Sequence, residues 1–255
     1  TRFSMGKIGF YLIGHFIAYY GLMIVLGIFT SALIAYFQTK RFGLVMNDFL
    51  IICGFSGLFG IIGAKALYLV TSFQHINVSK LADLTYLSSL MSGGFVFLGG
   101  ILGVLPALIF CKSKLHIPVP SYIQACIGCI PIGHMFGRIG CFLVGCCYGI
   151  PYSGQFSVTY TESLFAPCGA SLFPVQLVEA VIELGLGILL LLLSPKLKRY
   201  SGLFLYLMLY SLSRFSLEFL RYDEIRGGAA GLSTSQLLSI FLFVSASFFL
   251  IKEKG

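Results

Sequence analysis

The chain has 255 residues, 58% of them hydrophobic and only 10% charged, with a mean hydropathy of +0.95; that is too apolar for a water-soluble fold and marks a polytopic membrane protein. The net charge of +8 does not point to nucleic acid, because the seventeen Lys and Arg fall between apolar runs and form no single basic face, so lipid head groups are the anions they suit. Most of the eight cysteines sit inside apolar runs, where Cys behaves as a small hydrophobe, and the Cys126 and Cys129 pair lacks a second pair at metal-binding spacing, so neither a disulfide framework nor a metal site is expected.

Seven stretches are long enough to cross a hydrocarbon core of ~30 Å, at about 10–37, 48–73, 93–111, 122–145, 173–193, 202–220 and 232–251. The expected fold is an all-α polytopic membrane protein of seven transmembrane helices, one domain over 1–255, with 146–172 as an extracytoplasmic loop insertion. The first run is too long for a cleaved signal peptide and reads as a span. Lys40, Arg41, Lys112, Lys114, Lys196, Lys198, Arg199, Lys252 and Lys254 fall on one side, which places that side in the cytoplasm. The other side holds Arg2, Lys7, Lys80, Arg221 and Arg226, and the loop 146–172 carries no Lys or Arg. The N-terminus is therefore expected outside and the C-terminus inside.

On this topology Tyr20 lies about three turns down the first span. Lys65, Arg138, Glu179, Glu183, Arg214 and Glu218 fall in the outer half of the bilayer, given a rise of ~1.5 Å per residue. Each alone would be expelled from lipid, so together they are expected to line one polar cavity open to the outer leaflet. Arg138 is the focus. It stands in the glycine-studded segment 131–149, where a charge costs at least ~3 kcal/mol at a helix centre and where glycines leave room for another backbone or a lipid head group. Arg214, Glu218 and Arg221 share a face at i, i+4 and i+7, as do Gln176, Glu179 and Glu183 at i, i+3 and i+7. These faces are either buried ion pairs that fix helix register or a grip on an anionic lipid phosphate, which a planar guanidinium binds bidentately; the second reading fits three arginines better. The glycine pairs 93–94 and 99–100 offer bare backbone to a ligand or a neighbouring helix.

Between these runs, 72–91, with Lys80, Asp83 and Tyr86, reads as short helices along the outer surface. Alternation at Phe156, Val158 and Tyr160 suggests a small strand or hairpin. Cys146 or Cys147 has Cys168 as a disulfide candidate in an oxidising exterior, unless Cys146 faces the cavity.

Tyr20-Gly21-Leu22-Met23, Gly63-Ala64-Lys65, the two glycine pairs, Gly137-Arg138-Ile139-Gly140, Pro174-Val175-Gln176-Leu177-Val178-Glu179, Arg214-Phe215 through Glu218-Phe219-Leu220-Arg221, and Leu232-Ser233-Thr234-Ser235-Gln236 follow one another in an order that resembles bacterial prolipoprotein diacylglyceryl transferases. The likeness runs over nearly the whole chain. It implies seven spans with the N-terminus outside, a multi-pass protein of the bacterial cytoplasmic (inner) membrane, and transfer of the diacylglyceryl group of phosphatidylglycerol to the lipobox cysteine of a preprolipoprotein, with release of glycerol phosphate. Its partners would be phosphatidylglycerol, the lipobox-bearing signal peptide and membrane lipids, with no nucleic acid, no cofactor, and a monomeric chain.

The chemistry suits the residues: a thiol of pKa near ~8.5 must lose its proton to attack a glycerol carbon, and the departing phosphate gathers charge that fixed cations stabilise. By resemblance Arg138 and Arg214 hold that phosphate, Arg221 makes a third contact, Glu218 orients an arginine, Tyr20 lies near the lipid ester, and Gly149 closes the signature. Gln176, Glu179, Lys65, Gly94, Gly99, Cys141 and Cys146 complete the expected substrate-binding set. Three positions depart from the family. Leu98 stands where a histidine proposed as base is usual, and Cys141 and Cys146 replace Asn and Glu. His134, one turn before Arg138, is then a candidate base, and equally a hydrogen-bonded packing residue. The alternative to transfer is a paralogue with another donor or acceptor, or a non-catalytic phospholipid-binding or transport protein. A small-solute transporter is disfavoured by the lack of internal repeats.

Overall fold

The computed structural model describes residues 3–5, 8–12, 14–73, 76, 83–92, 94, 96–222, 228–229 and 231–254, with the backbone but not the side chains at 3–5, 92, 97–98, 228–229 and 254. Arg2, Lys7, Lys80, Gly93 and Arg226 lie outside the described residues. In chain order the elements are β1 (Phe3–Met5), β2 (Gly9–Leu12), β3 (His15–Ala18), α1 (Tyr19–Arg41), α2 (Met46–Thr71), α3 (Leu84–Ser92), α4 (Phe97–Ser113), α5 (Val119–Cys126), α6 (Cys129–Val144), β4 (Val158–Tyr160), β5 (Ser171–Leu172), α7 (Val175–Leu193), α8 (Ser201–Glu218), β6 (Gly228–Ala229), β7 (Leu232–Ser233) and α9 (Thr234–Lys254).

The fold is mostly helical. Among the described residues, α1, α2, α7 and α9 are long and apolar enough to cross a membrane, and α5 with α6, bent by 51° at the break between them, make a fifth span if read as one. The apolar runs expected at 93–111 and 202–220 become α4, of 17 residues, and α8, of 18. The first run departs from expectation at its start. Residues 9–18 form an antiparallel hairpin in which Gly9 faces Ala18 and Leu12 faces His15, turning at Gly14 with φ +78°. Phe10, Tyr11, Phe16 and Ile17 are aromatic and β-branched and suit a strand, so apolarity alone did not mark where the helix begins. Tyr20 consequently sits in the first turn of α1, not three turns down.

The chain divides into two compact units, Thr1–Phe42 with Ile123–Gly255, and Gly43–Tyr122. In the first, α1 packs on α6, α6 on α7, α7 on α8 and α8 on α9. The glycines of α6 serve its approach to α1: a Cβ at Gly140 would come 3.0 Å from the Tyr20 ring and 3.3 Å from Met23 Cβ. Pro131 falls in the first turn of α6, where its missing N–H leaves no bond unmade. The other end closes on Gly145, whose φ of +78° is a left-handed conformation that glycine adopts without a steric penalty. There the backbone N–H groups of Gly145 and Cys146 both donate to the Cys141 carbonyl, at 2.9 and 3.1 Å.

Beyond that cap the expected small sheet forms. β4 runs antiparallel to β5 and parallel to β1, with Val158 opposite Leu172 and Phe3. Its apolar core is Phe142, Val158, Tyr160, Ala166 and Leu172. The Tyr160 hydroxyl donates to the Phe142 carbonyl at 2.9 Å, and burial holds Tyr160 above the ordinary tyrosine range. The sheet is thereby fastened to the last turns of α6.

In the second unit α2 packs on α4. A Cβ at Gly99 would lie 2.6 Å from Leu67 Cβ, so Gly99 lies at a close helix contact. Asp83 caps α3, accepting the Thr85 backbone N–H at 2.9 Å and the Thr85 hydroxyl; these bonds, hydroxyl first, hold its carboxyl below the usual range. The short helix expected within 72–91 is thus present.

Candidate active site

Three helices of the first unit supply a ladder of charges. Arg138 Nη2 on α6 stands 3.0 Å from Glu179 Oε1 on α7. The other oxygen of Glu179 lies 3.6 Å from Arg214 Nη1 on α8, and Arg214 Nη2 is 3.0 Å from Glu218 Oε2. Arg221, just past the end of α8, puts Nη1 3.8 Å from that same oxygen. Glu179 is 3% exposed and Glu218 5%, so desolvation costs several kcal/mol per ion. A pair at 3.0 Å recovers about 5 kcal/mol at an effective dielectric of about 20. Removing one member of a pair therefore lowers stability, most where the group left behind has no other partner.

Two features distinguish it from a purely structural network. Three guanidiniums share two carboxylates, which leaves the ladder itself net positive. Arg214 Nη1 is buried and makes no hydrogen bond among the described residues, which in an apolar setting costs about 1–3 kcal/mol unless an anion supplies an acceptor.

α9 locks the far end. Ser233 Oγ accepts the Gln236 N–H at 3.2 Å while Gln236 Oε1 accepts the Ser233 N–H at 3.0 Å, a reciprocal cap that satisfies two orphan donors. The Ser233 hydroxyl donates onward to Glu218 Oε1 at 2.8 Å, and Arg214 Nε donates to Ser235 Oγ at 3.0 Å. One helix start therefore fixes both an arginine and its carboxylate.

Behind Arg138 lies a second chain of bonds. Arg138 Nε donates to His134 Nε2 at 3.2 Å, His134 Nδ1 faces Glu183 Oε1 at 3.1 Å, and the Tyr206 hydroxyl donates to Glu183 Oε2 at 3.4 Å. The Nε2 lone pair of His134 is thus already engaged by Arg138. His134 orients Arg138 here; to take a proton from a substrate it would first have to release that arginine.

The turn after α6 completes the site. Gln176, 1% exposed, donates Nε2 to the Cys146 carbonyl at 2.9 Å. Gly149 bridges to Arg221, and a Cβ there would come 2.9 Å from the Leu220 carbonyl oxygen, so the glycine lets this segment clamp the base of Arg221. Tyr20 lies within electrostatic reach of Cys141, Cys146, Cys147 and Arg138. Cys146, Cys147 and Cys168 form no disulfide, and the Cys168 thiol points to the Ser163 carbonyl at 3.7 Å. The pairing of Cys146 or Cys147 with Cys168 therefore does not form, because Cys146 and Cys147 gather instead with Cys141, all three sulfurs within 4.8 Å of one another. Contacts from the Cys141 and Cys146 thiols, aided by Arg221 and Arg138, hold Cys147 below the ordinary thiol range. The Cys141 and Cys147 sulfurs push Cys146 up.

Lys65, Gly94 and Gly99 belong to the other unit. Lys65 Nζ donates to the carbonyls of Leu90 at 2.6 Å and Gly94 at 3.3 Å and lies 4.6 Å from the centre of the Tyr68 ring. Glu183 is expected among the cavity-lining charges but not among the site residues, and neither Tyr206 nor Ser233, Ser235, Gln236 or Cys147 is among them. Ser-x-x-Gln ahead of an apolar run is a readable cap signal, whereas nothing in the spacing of Tyr206 announces its bond to Glu183.

Apolar helices carrying a buried cluster of shared guanidinium and carboxylate groups define an integral membrane protein with a polar centre. Comparison with known proteins narrows this. A profile of the family described as Prolipoprotein diacylglyceryl transferase matches residues 7–252, and the chain belongs to that family. It is 34% identical to the phosphatidylglycerol–prolipoprotein diacylglyceryl transferase of Clostridium tetani over 96% of each chain. It is 31% identical to the Clostridium perfringens protein named phosphatidylglycerol–prolipoprotein diacylglyceryl transferase 2 over 88% of this chain and 86% of that one. It is also 31% identical to the Campylobacter curvus transferase over 96% and 94%.

Proposed function

We propose that the chain transfers the diacylglyceryl group of phosphatidylglycerol to the lipobox cysteine of a preprolipoprotein at the outer face of the bacterial cytoplasmic membrane. The names of its relatives support the reaction. The observation that carries the site assignment is the convergence of Arg138 and Arg214, from two helices, on Glu179, with Arg214 Nη1 left without a hydrogen bond. The substrate sulfur, deprotonated, attacks the glycerol carbon that bears the phosphate. A C–S bond forms, the C–O bond breaks with its electron pair passing to the phosphate oxygen, and glycerol phosphate leaves. Arg138 and Arg214 meet the charge growing on that phosphate, Arg221 adds a third donor, and Glu179 and Glu218 fix their forks. Gln176 and Gly149 hold the flanking turn, and Tyr20 closes the lipid side. Lys65, Gly94 and Gly99 enter this proposal as a lipid-contacting group of the 43–122 unit. The chain would act as a monomer of seven spans, one domain over 1–255, N-terminus outside and C-terminus cytoplasmic, with 146–172 projecting outward.

The test is transfer by the purified protein, in vesicles containing phosphatidylglycerol, to a synthetic lipobox peptide. The expected result is a peptide mass gain of one diacylglyceryl unit together with released glycerol phosphate. No gain from folded protein would contradict the proposal. Terminal reporter fusions test the topology: an extracytoplasmic C-terminus would overturn it.

A further inference from the structure

His134, the candidate base, has its Nε2 already engaged as an acceptor for Arg138. Yet a thiol must be deprotonated. Beside Arg138 the fold assembles three unpaired cysteines whose sulfurs all lie within 4.8 Å of one another and which are only partly buried or just buried. Cys141 is on the last turn of α6, and Cys146 and Cys147 follow the left-handed Gly145 that folds the chain back over it. Zn–S bonds of ~2.3 Å in a tetrahedral centre put sulfurs ~3.8 Å apart. The present trio needs only small side-chain rotations to reach that spacing.

We propose that Cys141, Cys146 and Cys147 bind one zinc ion as a three-thiolate centre whose fourth position takes the thiol of the protein substrate. The inference rests on the transferase reading above and names how its nucleophile is made. Thiolates are ligands that zinc favours, and three protein ligands with one open position is the arrangement of catalytic zinc. A thiol bound to the ion is deprotonated outright; its proton passes to water, and the sulfur then attacks the glycerol carbon as already described, with no change of oxidation state. The charge balances locally: three thiolates and a divalent ion sum to −1, and Arg138 stands about one turn before Cys141 on the same helix. The supports a metal site needs are also present. The Cys141 carbonyl is pinned by two backbone N–H groups and the Cys146 carbonyl by Gln176, so two of the three ligands are held from behind.

The experiment uses the full chain purified in detergent. Metal analysis is expected to find about one zinc per chain, the number this geometry requires. Cys141→Ser and Cys147→Ser should each weaken zinc binding by more than the ~10–100-fold that loss of an outer partner costs, while Cys53→Ser retains it. Since a variant can misfold, the wild-type chain is also footprinted: zinc should shield Cys141, Cys146 and Cys147 from iodoacetamide while exposed Cys168, in the loop, reacts regardless. With cobalt in place of zinc, tetrahedral thiolate bands should shift when a lipobox cysteine peptide is added and stay put with its serine counterpart. Substoichiometric metal, unshielded cysteines, or bands unmoved by the thiol would overturn the proposal. So would full transfer by chelator-stripped protein, which leaves the transferase assignment standing. A chain that binds zinc and moves the cobalt bands but transfers nothing, loaded or stripped, contradicts the transferase assignment instead.

Discussion

Two intramembrane cation sites in this chain are solved in opposite ways. Lys65, in the 43–122 unit, is met by two backbone carbonyls and an aromatic ring, acceptors that close off its ammonium and tie α2 to the stretch before α4. The arginines of the other unit are met by carboxylates that they must share, and one guanidinium nitrogen is left without a hydrogen bond. The ammonium is a compact charge that carbonyls can satisfy, whereas a guanidinium presents a fork suited to phosphate. The difference in partners, backbone carbonyls for the ammonium and shared carboxylates for the guanidiniums, predicts that the arginines bear more of the phosphate's charge than Lys65 does.

The comparison breaks most severely at Glu179. Glu179→Ala strands Arg138 and Arg214 together, and the loss of one partner from a buried ion pair costs about 3–5 kcal/mol; denaturant melts in detergent should show a loss of that order and transfer should vanish. Arg138→Ala is expected to fold and to lower transfer by ~10²–10³, the range for removing one preorganised donor from a developing oxyanion, measured by peptide mass gain. His134→Gln separates two roles. A general base contributes ~10²–10⁴, so a fall of only about tenfold is expected if His134 merely steadies Arg138, and a larger fall with a changed pH profile would return it to the role of base. Ser233→Ala removes the cap and the bond to Glu218; about 1 kcal/mol of stability should go, read as a lower melting temperature with a modest loss of rate. Lys65→Met is expected to have the smallest effect on transfer, and a fall as large as that of Arg138→Ala would erase the distinction.

Much of this could be read before any coordinates. Each apolar run overlaps a helix, α1, α2, α4, the α5–α6 pair, α7, α8 and α9, of which four, or five with the bent pair, are long and apolar enough to cross a membrane. The contact of Arg214 with Glu218 follows from i, i+4 spacing. The meeting of Arg138 with Glu179 does not, since it depends on how α6 and α7 are rotated about their axes, which spacing within either helix leaves open. The start of α1 was misjudged because an aromatic hairpin and a helix are equally apolar at 9–18. Cys141, Cys146 and Cys147, at i, i+5 and i+6, match no helical face; they meet only because Gly145 turns the chain back. Of the two neighbours that the glycines of α6 leave room for, another backbone or a lipid head group, Gly133 and Gly140 receive the first, α1.

The central claim, that arginines from separate helices seat the phosphate of an anionic lipid, is tested most directly by native mass spectrometry of the purified chain with phosphatidylglycerol. The wild-type protein should retain one phosphatidylglycerol through detergent removal, and Arg138→Ala and Arg214→Ala should each lose it. Retention by both variants at the wild-type level would contradict the account.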